Sequence, residues 1–106
     1  MNLKNSALLI VDVQNDFLPG GALAVNRGDE IIPVINSLQE QFNFIVATQD
    51  FHPADHGSFA ANHEGKNVGD TIELNGLPQF LWPVHCVQGS EGAEFHEEFN
   101  WLIGKL

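Results

Sequence analysis

Ala7-Leu8-Leu9-Ile10-Val11-Asp12 is the stretch that decides the fold. A short continuous apolar run predicts a strand buried on both faces. The acid that follows sits at the carboxyl end of that strand, where open α/β sheets bind their ligands. A second run, Phe44-Ile45-Val46-Ala47-Thr48, ends in the same manner, with Asp50 and His52 just beyond it. Between the two, residues 30–42 carry Ile31, Val34, Ile35, Leu38 and Phe42 at spacings of three or four. That spacing predicts a helix with one apolar stripe. Asp29 is the expected N-cap, and Pro33 falls in the first turn, where proline is tolerated. Strand, helix and strand make a βαβ unit, so the two strands should be parallel.

The connections are long. Residues 14–28 run through Pro19-Gly20-Gly21, and residues 53–84 carry Gly57, Gly65, Gly69, Gly76 and three prolines without a period. Thr71-Ile72-Glu73-Leu74 is the one short strand expected there. Loops of this length in a compact domain are uncommon and often functional. A short helix is expected from about Ala93. Phe99, Trp101, Leu102, Ile103 and Leu106 form a final apolar run that needs a partner.

The length of 106 residues fits one domain, 1–106, with a core but little room for a doubly wound sheet. Fourteen acids against four bases give a net charge of −10, which repels nucleic acid and anionic membrane. One cysteine forms no internal disulfide, and the start carries no signal-peptide pattern. The longest apolar runs are far short of a membrane span. A cytoplasmic protein is the expectation.

The chemistry concentrates in Asp50-Phe51-His52. In extended backbone, residues two apart point to the same side, so a carboxylate and an imidazole converge there. His85, in Trp82-Pro83-Val84-His85-Cys86, adds a third donor from a distant loop. Three protein ligands with open positions is the pattern of a catalytic or substrate-binding metal site. Zinc suits this donor set, with iron or manganese also allowed. The plainer alternative is a set of ordinary polar loop residues. His56 lies four residues past His52, but Pro53 and Gly57 oppose a helix, leaving His56 as a fourth ligand, an outer donor or a simple loop histidine. His63 and His96 have no partner at a telling spacing and are expected at the surface. Asp12 is a helix cap, a loop acceptor or a catalytic base, with Asp16 competing for the cap. Cys86 neighbours His85 in extended chain, so it should face away from the metal and behave as a buried apolar residue. No phosphate-loop pattern follows either strand.

Three segments together resemble the nicotinamidases of the isochorismatase-like cysteine hydrolase family. The first is Leu9-Ile10-Val11-Asp12-Val13-Gln14-Asn15-Asp16-Phe17 with Gly20-Gly21-Ala22-Leu23-Ala24-Val25. The second is Ala47-Thr48-Gln49-Asp50-Phe51-His52-Pro53-Ala54-Asp55-His56-Gly57-Ser58-Phe59. The third is Trp82-Pro83-Val84-His85-Cys86-Val87-Gln88-Gly89-Ser90-Glu91-Gly92-Ala93. The resemblance implies a three-layer α/β/α fold with a parallel sheet, Rossmann-like and here incomplete. It implies that Asp12 belongs to an Asp-Lys-Cys triad and that Asp50, His52 and His85 bind one divalent metal, zinc first. Phe17 and Trp82 match aromatic positions that line the ring pocket, ordinary loop packing being the alternative. In the family the metal holds the pyridine nitrogen of nicotinamide. Cysteine attacks the carboxamide, ammonia leaves, and water hydrolyses the thioester to nicotinic acid, a step of NAD salvage.

The departure from the family is that no lysine here sits in the triad lysine's motif, and Cys86 is not at the nucleophile's position. The chain therefore resembles the N-terminal half and is expected to be inactive alone. The expected partners are nicotinamide as the small-molecule substrate and either a second copy in a homo-oligomer or a complementing C-terminal fragment. The competing readings are a non-catalytic metal- or ligand-binding remnant, an interaction module using the open sheet edge, and a sibling hydrolase of another amide or of isochorismate. The Asp-x-His pair with a distal histidine argues against the sibling.

Overall fold

The computed structural model describes Leu3 and residues 5–99. Strand β1 (Ala7–Val11) and strand β2 (Phe44–Thr48) pair in parallel, Ala7 opposite Phe44 through Val11 opposite Thr48. Helix α1 (Ile31–Gln39) is the crossover between them, as the apolar periods predict. The expected N-cap is displaced. Gly28–Glu30 forms a tight 3-10 turn that runs into the helix, so Glu30 takes the cap position and Asp29 lies inside the turn.

The stripe that α1 buries is also shifted. Ile32 and Gln39 are buried and Ile35 half-buried, whereas Ile31 and Val34 are exposed. With 3.6 residues per turn, a helix rich in apolar residues offers two overlapping stripes, and only packing selects one. Ile32 joins Ile10, Val13, Leu18, Ile45 and Phe99 in the main core, with Leu8, Ile35, Phe42, Ala47 and Phe95 against its edge.

The sheet is covered on one face only among the described residues. Ile10 and Ile45 point to the core, while Leu9, Val11, Phe44 and Val46 are 60, 60, 64 and 40% exposed. Burial of β1 on both faces is thus not met, because α1 covers just the side to which Ile10 and Ile45 point.

The long second loop holds a hairpin. Strand β3 (Thr71–Leu74) is the predicted one, and it pairs antiparallel with strand β4 (Leu77–Phe80). Asn75 and Gly76 join them with φ of 52° and 83°, the left-handed pair that a two-residue hairpin turn requires. The helix expected from Ala93 is instead a single 3-10 turn, Glu91–Ala93, whose first residue follows Ser90 and whose last N–H bonds the Ser90 hydroxyl at 3.3 Å. The apolar run from Trp101 to Leu106, like Lys4 and Lys105, lies outside the described residues.

Candidate metal centre

The carboxyl ends of β1 and β2 open toward the two long loops. Immediately past β2, Asp50 and His52 sit in extended chain, and His52 forms a parallel bridge to Val87. That bridge brings the 85–87 segment alongside, with His52 N–H donating to Cys86 O and Gln88 N–H to His52 O, both at 2.8 Å. One ligand atom from each of Asp50, His52 and His85 then lies within 4.8 Å of the others. Asp50 Oδ2 is 3.6 Å from His52 Nε2 and 3.9 Å from His85 Nε2. Donors about 2.0–2.2 Å from one tetrahedral ion stand about 3.3–3.6 Å apart, so a small adjustment closes this set on a cation.

Hydrogen bonding fixes which imidazole nitrogens face the gap. His85 Nδ1 is 2.7 Å from Pro83 O. A carbonyl only accepts, so Nδ1 carries the proton and Nε2 presents a lone pair, the usual outer contact of a metal-ligating histidine. His56 has the opposite tautomer. Its Nδ1 accepts from Ser58 N–H at 3.0 Å and sits 2.7 Å from the Ser58 hydroxyl. A neutral His56 therefore carries its proton on Nε2 and offers a donor rather than a ligand. Its place in the loop agrees with the helix-opposing Pro53 and Gly57.

Phe59, fully buried, organises the rings. Its centroid lies 5.5 Å from His52, 5.4 Å from His85 and 5.8 Å from His56, edge-on or tilted to each. The ligand atoms open into a cleft of about 390 Å³ lined by Phe17, Leu23, Asp50, His52, His56, Ser58, Gln79, Trp82 and His85. Phe17 and Trp82 thus meet Asp50, His52 and His85 in one cavity. The Phe17 ring centroid lies 5.8 Å from that of His85, and Trp82 packs tilted against Phe80 with centroids 4.5 Å apart.

Asp12 stands apart from that cleft. It has φ of 56°, at the end of β1, and its Oδ1 accepts from the Thr48 hydroxyl at 2.7 Å. It borders a separate apolar cavity with Val11, Val13, Phe17, Leu18, Val25, Gly28 and Ile31. Asp16 caps no helix. Its carboxylate accepts from Cys86 N–H at 2.7 Å and from Ala22 N–H at 3.2 Å.

The model of the isochorismatase domain matches residues 6–105. The chain belongs to the isochorismatase family. A nicotinamidase from Acinetobacter baylyi is 60% identical over 103 residues, which cover 97% of this chain and 48% of that protein. A solved nicotinamidase/pyrazinamidase from Acinetobacter baumanii matches with a TM-score of 0.86 and 58% identity, over 92% of this chain and 47% of that one. The crystal structure of a Pyrococcus horikoshii pyrazinamidase in complex with zinc matches with a TM-score of 0.63 and 44% identity, over 84% of this chain and 43% of that one. The chain thus spans about half the length of the curated relatives it matches. Its parallel sheet and crossover helix are those of the isochorismatase-like α/β fold.

Within this isochorismatase-family chain, Cys86 is fully buried and absent from the cleft lining. Burial, with Asp16, Asp50 and Asp12 adding like charge, pushes its thiol up to about 12. The expected inert cysteine is found, but for another reason: Cys86 is not extended, having φ of 49°. His63 and His96 are half-buried rather than free at the surface. His63 Nε2 is 2.7 Å from Gly57 O, and His96 Nδ1 accepts from Glu98 N–H at 3.1 Å.

Gln14 is the residue that sequence reasoning passed over. It is fully buried, and its amide grips both backbone groups of Asp50 while also donating to Ala93 O at 2.8 Å. A glutamine just past a strand carries no sequence signal of this role, because its partners are 36 and 79 residues away.

Proposed function

We propose that this chain carries the metal- and ring-binding part of a nicotinamidase-type amidohydrolase, which converts nicotinamide to nicotinic acid and ammonia. The observation that supports it is the convergence of Asp50, His52 and His85 in a cleft flanked by Phe17 and Trp82. One carboxylate and two imidazoles suit a divalent ion, with zinc first and iron or manganese as alternatives. That ion, when bound, supplies a Lewis acid for the pyridine nitrogen. Phe17 and Trp82 flank an aromatic ring, and His56 offers a donor at the edge of the same cleft. Asp12 is the acid of the catalytic triad and stands ready to take a proton from a thiol brought beside it.

The chain's one cysteine does not fit the nucleophile's part. Cys86 is buried, raised in pKa and away from the cleft. A nucleophile needs a thiolate in an electropositive, accessible setting. The chain alone is therefore a binder of metal and small ring ligands without turnover, and hydrolysis requires a segment that supplies lysine and cysteine. The NAD-salvage and cytoplasmic assignments belong to this same reading. Among the described residues, no helix is long and apolar enough to cross a membrane.

The test is ammonia release from nicotinamide by the purified, zinc-loaded chain, alongside binding of nicotinic acid followed by Trp82 fluorescence against a Trp82→Phe control. Binding without turnover is expected. Turnover that vanishes in Cys86→Ala would make Cys86 the nucleophile and overturn the reading.

A further inference from the structure

The backbone of Cys86 joins both histidine ligands. Its own N–H follows directly on His85, and its carbonyl accepts the His52 N–H at 2.8 Å. Between those two groups Cys86 has φ of 49°, in the left-handed region that a residue with a Cβ adopts at a cost. Something must hold it there. The Cys86 N–H points to Asp16 Oδ2 at 2.7 Å, a short charge-assisted bond. The other oxygen, Oδ1, accepts from Ala22 N–H at 3.2 Å, and the Asp16 carbonyl accepts from Leu23 N–H at 2.9 Å. Gly92 leaves room for the carboxylate: a Cβ there would stand 2.1 Å from Asp16 Oδ2.

We propose that Asp16 is a positioning residue of the metal centre: its carboxylate holds Cys86 in the left-handed conformation that brings His85 and His52 onto Asp50. The proposal rests on the metal reading given above. Asp16 itself does not line the cleft, so it acts through the Cys86 backbone and not on ligand or metal. Both carboxylate oxygens accept from N–H groups. An amide in their place must turn its NH₂ toward one of those donors, so Asp16→Asn removes one anchor while keeping the shape. Glycine reaches a positive φ without steric cost, so Cys86→Gly should make the anchor dispensable.

The experiment titrates the full chain with Co²⁺, read by its visible d–d absorption, and with Zn²⁺ by chelator competition. Four proteins form a double-mutant cycle: wild type, Asp16→Asn, Cys86→Gly and the double variant. Asp16→Asn is expected to weaken metal binding about 10–100-fold, the usual effect of losing an outer-shell partner. Cys86→Gly alone should stay within a few-fold of wild type, and the double variant should recover most of the loss. If Asp16→Asn folds only when Cys86→Gly accompanies it, that rescue supports the same conclusion. A double variant as weak, or as unfolded, as Asp16→Asn overturns the proposal, as does Asp16→Asn with wild-type affinity. A wild-type chain that binds neither ion removes the metal centre and the proposal together, which separates that failure from the other two.

Discussion

Gln14 forms a two-sided hydrogen-bonded pair with Asp50: its Nε2 donates to Asp50 O at 2.7 Å and its Oε1 accepts from Asp50 N–H at 2.9 Å. A side-chain amide thereby does what a neighbouring strand would do, extending the sheet's pairing one step past Thr48 to the first metal-ligand candidate. Gln14→Leu keeps the volume but leaves both Asp50 backbone groups without this partner. Each orphaned group costs about 1–3 kcal/mol when buried, so for these two half-buried groups a loss of up to about 6 kcal/mol, and at least about 2, is expected from urea unfolding. A loss below about 1 kcal/mol would show that water or another group serves Asp50 equally well.

Phe59 is the hub of the imidazole cluster, with three histidine rings within 5.8 Å of its centroid. Phe59→Ala opens a cavity beneath them. The expected destabilisation is about 3–5 kcal/mol, together with weaker metal binding because the rings lose their common wall. Calorimetry and metal titration on the same sample check both. Wild-type affinity in a destabilised variant would mean that the rings are held by their hydrogen bonds alone.

The Cys86 thiol, in the metal-free chain, stays protonated and shielded at pH 8. Its pKa is raised in the fold to about 12 from an ordinary 9.0. The folded state therefore holds the proton more tightly than the unfolded chain, and stability falls as pH rises through 9 toward 12. Iodoacetamide at pH 8 should leave the folded chain unmodified and alkylate it rapidly in urea. Fast alkylation of the folded chain would place the thiol at the surface.

The sheet face left uncovered among the described residues predicts self-association. Leu9, Val11 and Phe44 are each at least 60% exposed on one side of the β1–β2 pair. Contiguous apolar patches of this kind drive association, which the net charge of −10 opposes. Sizing chromatography should show concentration-dependent larger species for the wild type and a monomer for Leu9→Glu with Phe44→Glu. A wild-type elution volume that is independent of concentration and matches a monomer would contradict this.

The parallel pair, the crossover helix and β3 were legible because apolar runs and a 3.6 period encode them locally. Asp50, His52 and His85 stood out because each follows an apolar or proline-bearing stretch, and the Asp-x-His spacing has a geometric meaning. The hairpin partner β4 was hidden by Pro78, although Asn75-Gly76 carries the turn signal. The buried stripe of α1 was shifted by one residue because apolar side chains also occupy the opposite flank. Gln14 and Asp16 were beyond sequence reading, since their roles depend on partners 36 to 79 residues away. The opposite tautomers of His56 and His85 were invisible for the same reason: a serine backbone N–H and a proline carbonyl set them only once the loops are folded.

Asp50, His52 and His85 are proposed to hold one divalent ion, and elemental analysis of the purified chain decides it. Close to one zinc, iron or manganese per chain is expected, lost in Asp50→Ala with His52→Ala and sharply reduced in His85→Ala. Equal metal content in the wild type and the Asp50→Ala, His52→Ala double variant would contradict it.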